Sequence, residues 1–367
     1  MSPEMPDKPP RVWCLLGHKA GDNTQVTALA DALGWPWTPV RIHARPWELM
    51  THLALRVTLA GIDRRRSSGL APPWPDLVIS AGRRNEPVAR WIQSQSGEAT
   101  RLVHVGRPWA PLSTYDLIVT TPQYNLPDEP NIQHNTLPLY RHDADALSRE
   151  AAALAPQLAT LPSPRIALLL GGDSGKFVFT REKGRRLGQL ASTLARAASG
   201  SIVLTDSPRT PRAAMDACVE AIDVPASVHR WTADAPNPYR GILGSADAFI
   251  VTGESMSMLA EARAQQRPMY IFDMDDDPKI PWWRHRHAWR YKPLSHRLAM
   301  RLAPQRMRRD IGRIQSALVS ADEAQWLNKI SAEEGPGPAV DSRVAHRPGA
   351  DELAITARKI RILLEMR

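Results

Sequence analysis

From Arg11 onward the chain alternates short apolar runs with segments whose apolar residues recur at helical spacing. "RVWCLLG", "WTPVRI", "PDLVISAG", "TRLVHVG" and "YDLIVTTP" are runs of strand length bounded by glycine, proline or polar residues. Between them, "VTALADALG", "PWELMTHLALRVTLAGI" and "EPVARWIQ" carry the helical pattern. Short buried strands separated by helices predict a parallel sheet covered on both faces. Residues 141–164, "RHDADALSREAAALAPQLATLPSP", read as a helix running into a proline-bearing interdomain linker. The alternation then restarts. "PRIALLLGG", "SIVLTDSP", "ASVHRW", "DAFIVTG" and "PMYIFDM" read as strands, and "REKGRRLGQLASTLARAA", "RAAMDACVEAI", "NPYRGILGSA" and "SMSMLAEARAQQ" as helices. The pattern therefore predicts two doubly wound, Rossmann-like α/β domains in tandem, 11–150 and 163–330. Residues 331–350 read as a flexible loop, and 351–367 as a basic helix with apolar residues at helical spacing.

In open α/β sheets, ligands sit beyond the carboxyl ends of the strands, so the loops there are where chemistry is expected. "LLLGGDSGKFVFT" offers Gly171 and Gly172 for close backbone approach, with Ser174 and Lys176 as donors to an anion. It is not a Walker A loop: Leu170 stands where the first glycine belongs and Phe177 follows the lysine. The bland reading is a tight turn with a solvated lysine. "VLTDSPRTP" places Ser207, Arg209 and Thr210 between a strand and a helix. Arg209 could hold a phosphate oxygen there, while Thr210 could equally be a plain N-cap. "VTGESMSMLAEA" puts Glu254, Ser255 and Ser257 at a helix start, where free N–H groups favour a diphosphate. Glu261 follows Glu254 by seven residues, so both carboxylates are expected near one helix face, where an acid could accept from ribose hydroxyls. The alternative is dipole complementation by Glu254 and a solvated Glu261.

In the first domain, "LGHKAGDNTQ" carries His18, Gly21, Asp22 and Gln25 in what reads as a glycine-bearing loop facing the second domain across a cleft. Asp22, then His18, are the candidates for a general base toward an incoming hydroxyl. Asp22 or Asn23 could instead be an N-cap. Arg83 and Arg84 in "SAGRRNEP" could hold an anionic acceptor or be surface charge.

Composition narrows the classes. With 43% hydrophobic and 23% charged residues the chain reads as an ordinary globular protein. Its two cysteines, Cys14 and Cys218, lie in apolar patterns and cannot build a disulfide framework or a four-ligand zinc site. "MSPEMPDKPP" has acids and prolines where a signal peptide has a basic and an apolar region. No apolar run approaches the roughly 20 residues of a membrane span. A cytoplasmic location is expected. The net charge of +9, mostly arginine, implies attraction to something anionic. Between Arg284 and Arg309 there are nine Lys/Arg and no acid, with Trp283, Trp289 and Tyr291 close by. This stretch, residues 283–309, reads as a contact for the inner face of an anionic membrane, or as a solvated basic helix pair. No nucleic-acid module accompanies it, so no nucleic-acid partner is expected.

Two tandem doubly wound domains resemble the GT-B architecture of nucleotide-sugar glycosyltransferases. "EARAQQRPMYIF" is similar to the acid-Ala-x-Ala-x-x-x-Pro segment of that architecture, which puts Glu261 in the ribose role. Glu254 is one residue short of the E-x7-E spacing found in many such enzymes. More specifically, the sequence resembles the glycosyltransferase-like family containing the plant elongated-mitochondria fission protein and bacterial relatives. The resemblance runs in order through "HKAGDNTQVTALADALG", "PDLVISAGRR", "LVHVGRP", "YDLIVTTP", "PNIQHNTLPL", "LLLGGDSGKFVFT", "DSPRTP" and "VTGESMSMLAEA". The "DSPRTP" and "GGDSGKFVF" segments depart from the relatives' pattern, leaving donor identity open. The resemblance implies a bacterial member engaged in glycan or lipopolysaccharide assembly, with a C-terminal helix crossing back to the first domain. The donor would be a nucleotide-diphosphate sugar, with no further cofactor and no metal. The acceptor would be anionic or lipid-linked. A non-catalytic scaffold on the same fold and a nucleotide-sugar epimerase are the alternatives.

Overall fold

The computed structural model describes residues 9–47, 56–174, 177–274, 301–302, 308–329 and 351–365. These divide into two compact units, with the boundary between Arg141 and His142.

In the first unit the order is β1 (Val12–Leu16), α1 (Ala20–Leu33), β2 (Trp37–Arg41), β3 (Leu77–Ala81), α2 (Glu86–Gln95), β4 (Arg101–Val105), β5 (Leu117–Thr120) and β6 (Ile132–His134). All six strands are parallel, in the order β2-β1-β3-β4-β5-β6. The order reverses between β1 and β3, so the crevice of this sheet lies between the loops that follow those two strands. One core lies on each face. Val26, Leu29 and Leu33 of α1 cover one side, and Val88, Ala89 and Ile92 of α2 the other.

The last helix, α9 (Glu352–Glu365), belongs to this unit and packs on α1 through Ala357 and Ile360. Polar contacts fix its register. Arg361 donates to the carbonyls of Ala32 and Leu33 at the C-terminal end of α1, and Glu352 accepts from the amide of Thr136. Ile360 is fully buried, so Ile360→Val should cost about 1 kcal/mol in a denaturant titration. An unchanged midpoint would mean that α9 contributes little to this core.

The second unit runs α3 (Ala144–Leu158), β7 (Arg165–Leu169), α4 (Arg181–Ala197), β8 (Ser201–Thr205), α5 (Arg212–Glu220), β9 (Ala226–His229), α6 (Tyr239–Ser245), β10 (Ala248–Thr252), α7 (Met256–Ala264), β11 (Met269–Phe272), α8 (Gly312–Ser320) and β12 (Gln325–Trp326). Its sheet is again parallel, ordered β12-β11-β10-β7-β8-β9, with the reversal between β7 and β10. α4 and α5 approach closely because a Cβ at Gly184 would meet the Ala214 carbonyl and one at Gly188 the Cys218 carbonyl.

Several expectations change here. α3 packs on α6 in the second unit and does not end the first domain. Residues 56–62, expected within a helix, form turns, and residues 48–55 of that same stretch lie outside the described residues. So do the loop 331–350, most of the basic stretch 283–309, and Lys176. Cys14 and Cys218 are unpaired and buried in the two cores, their thiols pushed up to about 12 by burial. No helix among the described residues is long and apolar enough to cross a membrane.

Candidate functional site

The reversal point of the second sheet brings together the loops after β7, β8 and β10, which are the three segments singled out from the sequence in this half of the chain. Gly171 is the hub. Its amide donates to Thr252 Oγ1 (2.8 Å), and its carbonyl accepts from Ser207 Oγ (2.8 Å) and from the Thr210 hydroxyl. The amide of Ser207 donates to Thr210 Oγ1 (2.9 Å), closing a small ring of bonds. Both hydroxyls are thus engaged in building the loop. Thr210 is not an N-cap; Pro211 holds that position before α5. Arg209 is exposed, and its guanidinium donates to the Asp173 carbonyl (3.2 Å). Asp173 in turn accepts from the amide of Phe179 (3.0 Å), and Ser174 bridges to Phe177.

Glu254 lies just before α7 and is only 2% exposed. Its Oε1 accepts from the amide of Gly172, which β7's loop can present because both its glycines lack side chains. A Cβ on Gly171 would overlap Glu254 Oε1, and one on Gly172 would lie 2.2 Å from the Arg209 carbonyl oxygen. Oε2 is buried with no hydrogen-bond partner among the described residues. Burial pushes this carboxyl up to about 7, against the opposing pull of the Gly172 amide and the Arg209 charge. Glu254 thus holds a buried carboxyl oxygen without a partner among the described residues at the reversal point of the sheet.

Ser255 takes the N-cap position of α7, is buried and makes no side-chain capping bond, while Ser257 is exposed. The first-turn amides of such a helix have no intrahelical acceptor. Glu261 is placed differently from the expectation. Because Glu254 precedes the helix, the two carboxylates are not stacked on one helix face. Glu261 accepts from the Tyr239 hydroxyl at the start of α6, and burial raises its pKa.

At the reversal point of the first sheet, α1 starts at Ala20, earlier than the sequence suggests. Gly21, Asp22 and Gln25 therefore ride on its first two turns and not in a loop. Lys19 is the N-cap position, without a side-chain capping bond. Asn23 reaches back to both the amide and the carbonyl of Gly17 (2.9 and 2.8 Å), which fixes the short turn carrying His18. Asp22 lies beside Gly82, where an added Cβ would stand 2.7 Å from Oδ2, and 4.0 Å from Lys19 Nζ. Gln25 donates to the Gly21 carbonyl (3.3 Å). His18 meets the guanidinium of Arg84 at about 3.0 Å, whereas Arg83 is turned away onto the Trp109 ring, 5.0 Å from its centroid.

Four residues that hold these loops escaped the sequence reading. Thr252 ends a buried strand and Asp173 sits inside a loop; neither carries a local signal. Asn85 and Glu86 do, as an N-cap residue and an acid in front of a proline. Asn85 ties the ends of β1 and β3 through the Leu15 and Ala81 carbonyls (3.1 and 3.2 Å). Glu86, fully buried, accepts from the amides of Trp109 and Ala110 and from Tyr115. Among the described residues, no three His, Cys, Asp or Glu side chains gather as a metal site.

The model of the mitochondrial fission ELM1 family matches residues 20–325. The chain belongs to that family. Mitochondrial fission protein ELM1 of Arabidopsis thaliana is 26% identical over 225 residues, covering 55% of this chain and 52% of the plant protein. The chain thus spans about half the length of this ELM1 relative. An uncharacterized protein of Rickettsia prowazekii is 22% identical over 294 residues, 71% of this chain and 82% of that protein. Among solved structures, the UDP-GlcNAc 2-epimerase of Methanocaldococcus jannaschii aligns with a TM-score of 0.50 at 11% identity, covering 97% of this chain and 99% of the epimerase. A glycosyltransferase of Rickettsia africae aligns at 0.48 and 11%, covering 98% of each. The two parallel doubly wound domains, together with the alignment to the epimerase, give this ELM1-family member a GT-B-like fold.

Proposed function

We propose that this ELM1-family protein transfers a sugar from a nucleotide-diphosphate sugar to an anionic or lipid-linked acceptor. The observation that carries the reading is Glu254, buried at the reversal point of the second sheet with one oxygen bound to Gly172 and the other unused. Around it stand the parts a donor needs. The Gly171–Gly172 backbone lets a ligand approach, the start of α7 offers free amides, and Arg209 offers positive charge for the departing diphosphate. Lys176 completes the proposed donor set. The acceptor hydroxyl attacks the anomeric carbon as the bond to the diphosphate breaks, and its proton passes to Asp22 or, second, His18. In this scheme the Tyr239 hydroxyl orients Glu261 toward the ribose hydroxyls. The basic, tryptophan-bearing stretch 283–309 would hold the protein at an anionic membrane surface, on the cytoplasmic side.

The test is a thermal-shift screen of the purified protein against UDP, GDP, ADP, CMP and their sugars. Stabilisation by one nucleoside diphosphate is expected, since a ligand at 100 times its Kd adds about 2.7 kcal/mol. No shift with any of them would sink the donor site and favour a non-catalytic scaffold role. Turnover of a nucleotide sugar without acceptor would mark an epimerase. Glu261→Gln should weaken nucleotide affinity about ten-fold, a loss of one charge-assisted bond. Unchanged affinity would remove Glu261 from the ribose role.

A further inference from the structure

The first unit carries a second feature that the donor reading leaves unused. A cleft of about 440 Å³ opens at the carboxyl ends of β1 and β2, within the size range of small-molecule sites. Its basic lining comes from Arg41, Arg45, Arg66, Arg84, His18 and His43, against a single acid, Asp63. Only the contributions of His18 and Arg84 coincide with residues flagged in the sequence. Trp47, 51% exposed, forms part of the wall with Arg45 stacked on its ring at 5.5 Å.

The walls of this cleft are held by backbone bonds, so the convergence of charge is a property of the fold. The segment after β2 and the 61–68 loop are stitched along their length. Arg41 N donates to Ser68 Oγ (2.9 Å) and His43 N to Ser67 Oγ (3.0 Å). Asp63 N donates to the His43 carbonyl (2.8 Å), Ser68 N to the Arg41 carbonyl (2.9 Å) and Arg45 N to the Gly61 carbonyl (2.9 Å). A bridge between Ala44 and Ile62 completes the seam, and Ile42 and Ile62 anchor it in the core. Arg66 is thereby carried to the same cleft as Arg41 from a position 25 residues away in sequence. Guanidinium groups that line one cleft repel one another, and an anion that enters offsets that repulsion.

We infer that this cleft binds a phosphomonoester on a sugar or sugar-like ring, with Arg41 and Arg66 on the phosphate and the exposed face of Trp47 against the ring. Planar guanidinium groups match phosphate oxygens bidentately, and a dianion suits a site with this charge excess. An amphipathic indole gives the ring an apolar surface at small entropic cost. Calling this ligand the acceptor rests on the transfer reading above. Its binding does not.

The experiment is isothermal titration of the full-length protein with glucose 1-phosphate, with glucose and gluconate as controls, beside vesicles containing phosphatidylinositol 4-phosphate, whose phosphomonoester also sits on a sugar-like ring. Glucose 1-phosphate is expected to bind, glucose not at all, and gluconate at least ten-fold more weakly. Arg41→Gln combined with Arg66→Gln should weaken the sugar phosphate at least ten-fold while leaving nucleoside-diphosphate affinity in the second unit unchanged. Binding to the vesicles that is lost in the same double variant, without binding of the soluble phosphate, assigns the phosphomonoester to a lipid headgroup. On the unmodified protein, the ligand that binds should shield Arg41 and Arg66 from phenylglyoxal, read by mass spectrometry. This readout stands even if the double variant does not fold. No binding of either phosphate, equal binding in the double variant, unshielded arginines, or gluconate binding as well as the phosphate would each overturn the assignment. Failure of nucleotide binding with the sugar phosphate still bound would overturn the donor site alone.

Discussion

Gly172→Ala is expected to destabilise the second unit by roughly 3 kcal/mol and to abolish nucleoside-diphosphate binding. The added Cβ would lie 2.2 Å from the Arg209 carbonyl oxygen and 2.7 Å from the Thr210 amide nitrogen, both backbone atoms. No rotamer change relieves such an overlap. The Ser207–Thr210 loop must move, and the bonds from Ser207 and Thr210 to Gly171 break with it. Gly21→Ala is the internal control. Nothing lies within 4 Å of its added methyl, and α1 should gain about 1 kcal/mol from the better helix former. Guanidinium chloride midpoints for both variants, with nucleotide titrations on the folded protein, check the prediction. If Gly172→Ala keeps both its midpoint and its nucleotide affinity, the loops after β7 and β8 are not clamped together as described.

Glu254→Gln should stabilise the protein at pH 8 and flatten its stability–pH profile. The carboxyl of Glu254 rises from 4.5 to about 7 on folding, chiefly through burial. Between those values the folded state binds more protons than the unfolded one, so stability falls as pH rises through the window. The loss amounts at most to about 3 kcal/mol for a shift of this size. Its full weight is felt above pH 7, where folding must keep a charge buried. Glutamine carries no such charge, and its amide oxygen can still accept from Gly172. Denaturant midpoints at pH 4.5, 6, 7 and 8 should therefore diverge between the two proteins with rising pH. Parallel profiles would show that another group dominates, and that Oε2 is not the costly atom the geometry indicates. A nucleotide sugar that donates to Oε2 should also lose affinity in the variant, so stability and binding should change in opposite directions.

Much of the architecture was legible because buried parallel strands leave short apolar runs and their covering helices leave a 3.6-residue period. The same periodicity misled where it met a helix start. "HKAGDNTQ" looks like a loop because glycine and polar residues crowd it, yet Asn23 bonds Gly17 on both sides and helix begins at Ala20. Likewise, seven-residue spacing put Glu254 and Glu261 on one face only if both were helical. The chain enters helix after Ser255, so one carboxylate turns to Gly172 and the other to Tyr239.

By itself, the sequence determined the fold class, a terminal amphipathic helix, and the three loops from which a donor site could be made. These follow from local spacing, which the chain carries in any conformation. Tertiary structure alone decided what each polar group does. Thr252 and Asp173 became loop supports, the Ser207 and Thr210 hydroxyls were spent on the Gly171 carbonyl, and Glu254 kept an oxygen in reserve. It also drew Arg41 and Arg66 into one cleft. Hydrogen-bond satisfaction and burial depend on neighbours brought from dozens of residues away by parallel pairing, and no local pattern encodes which partner will arrive.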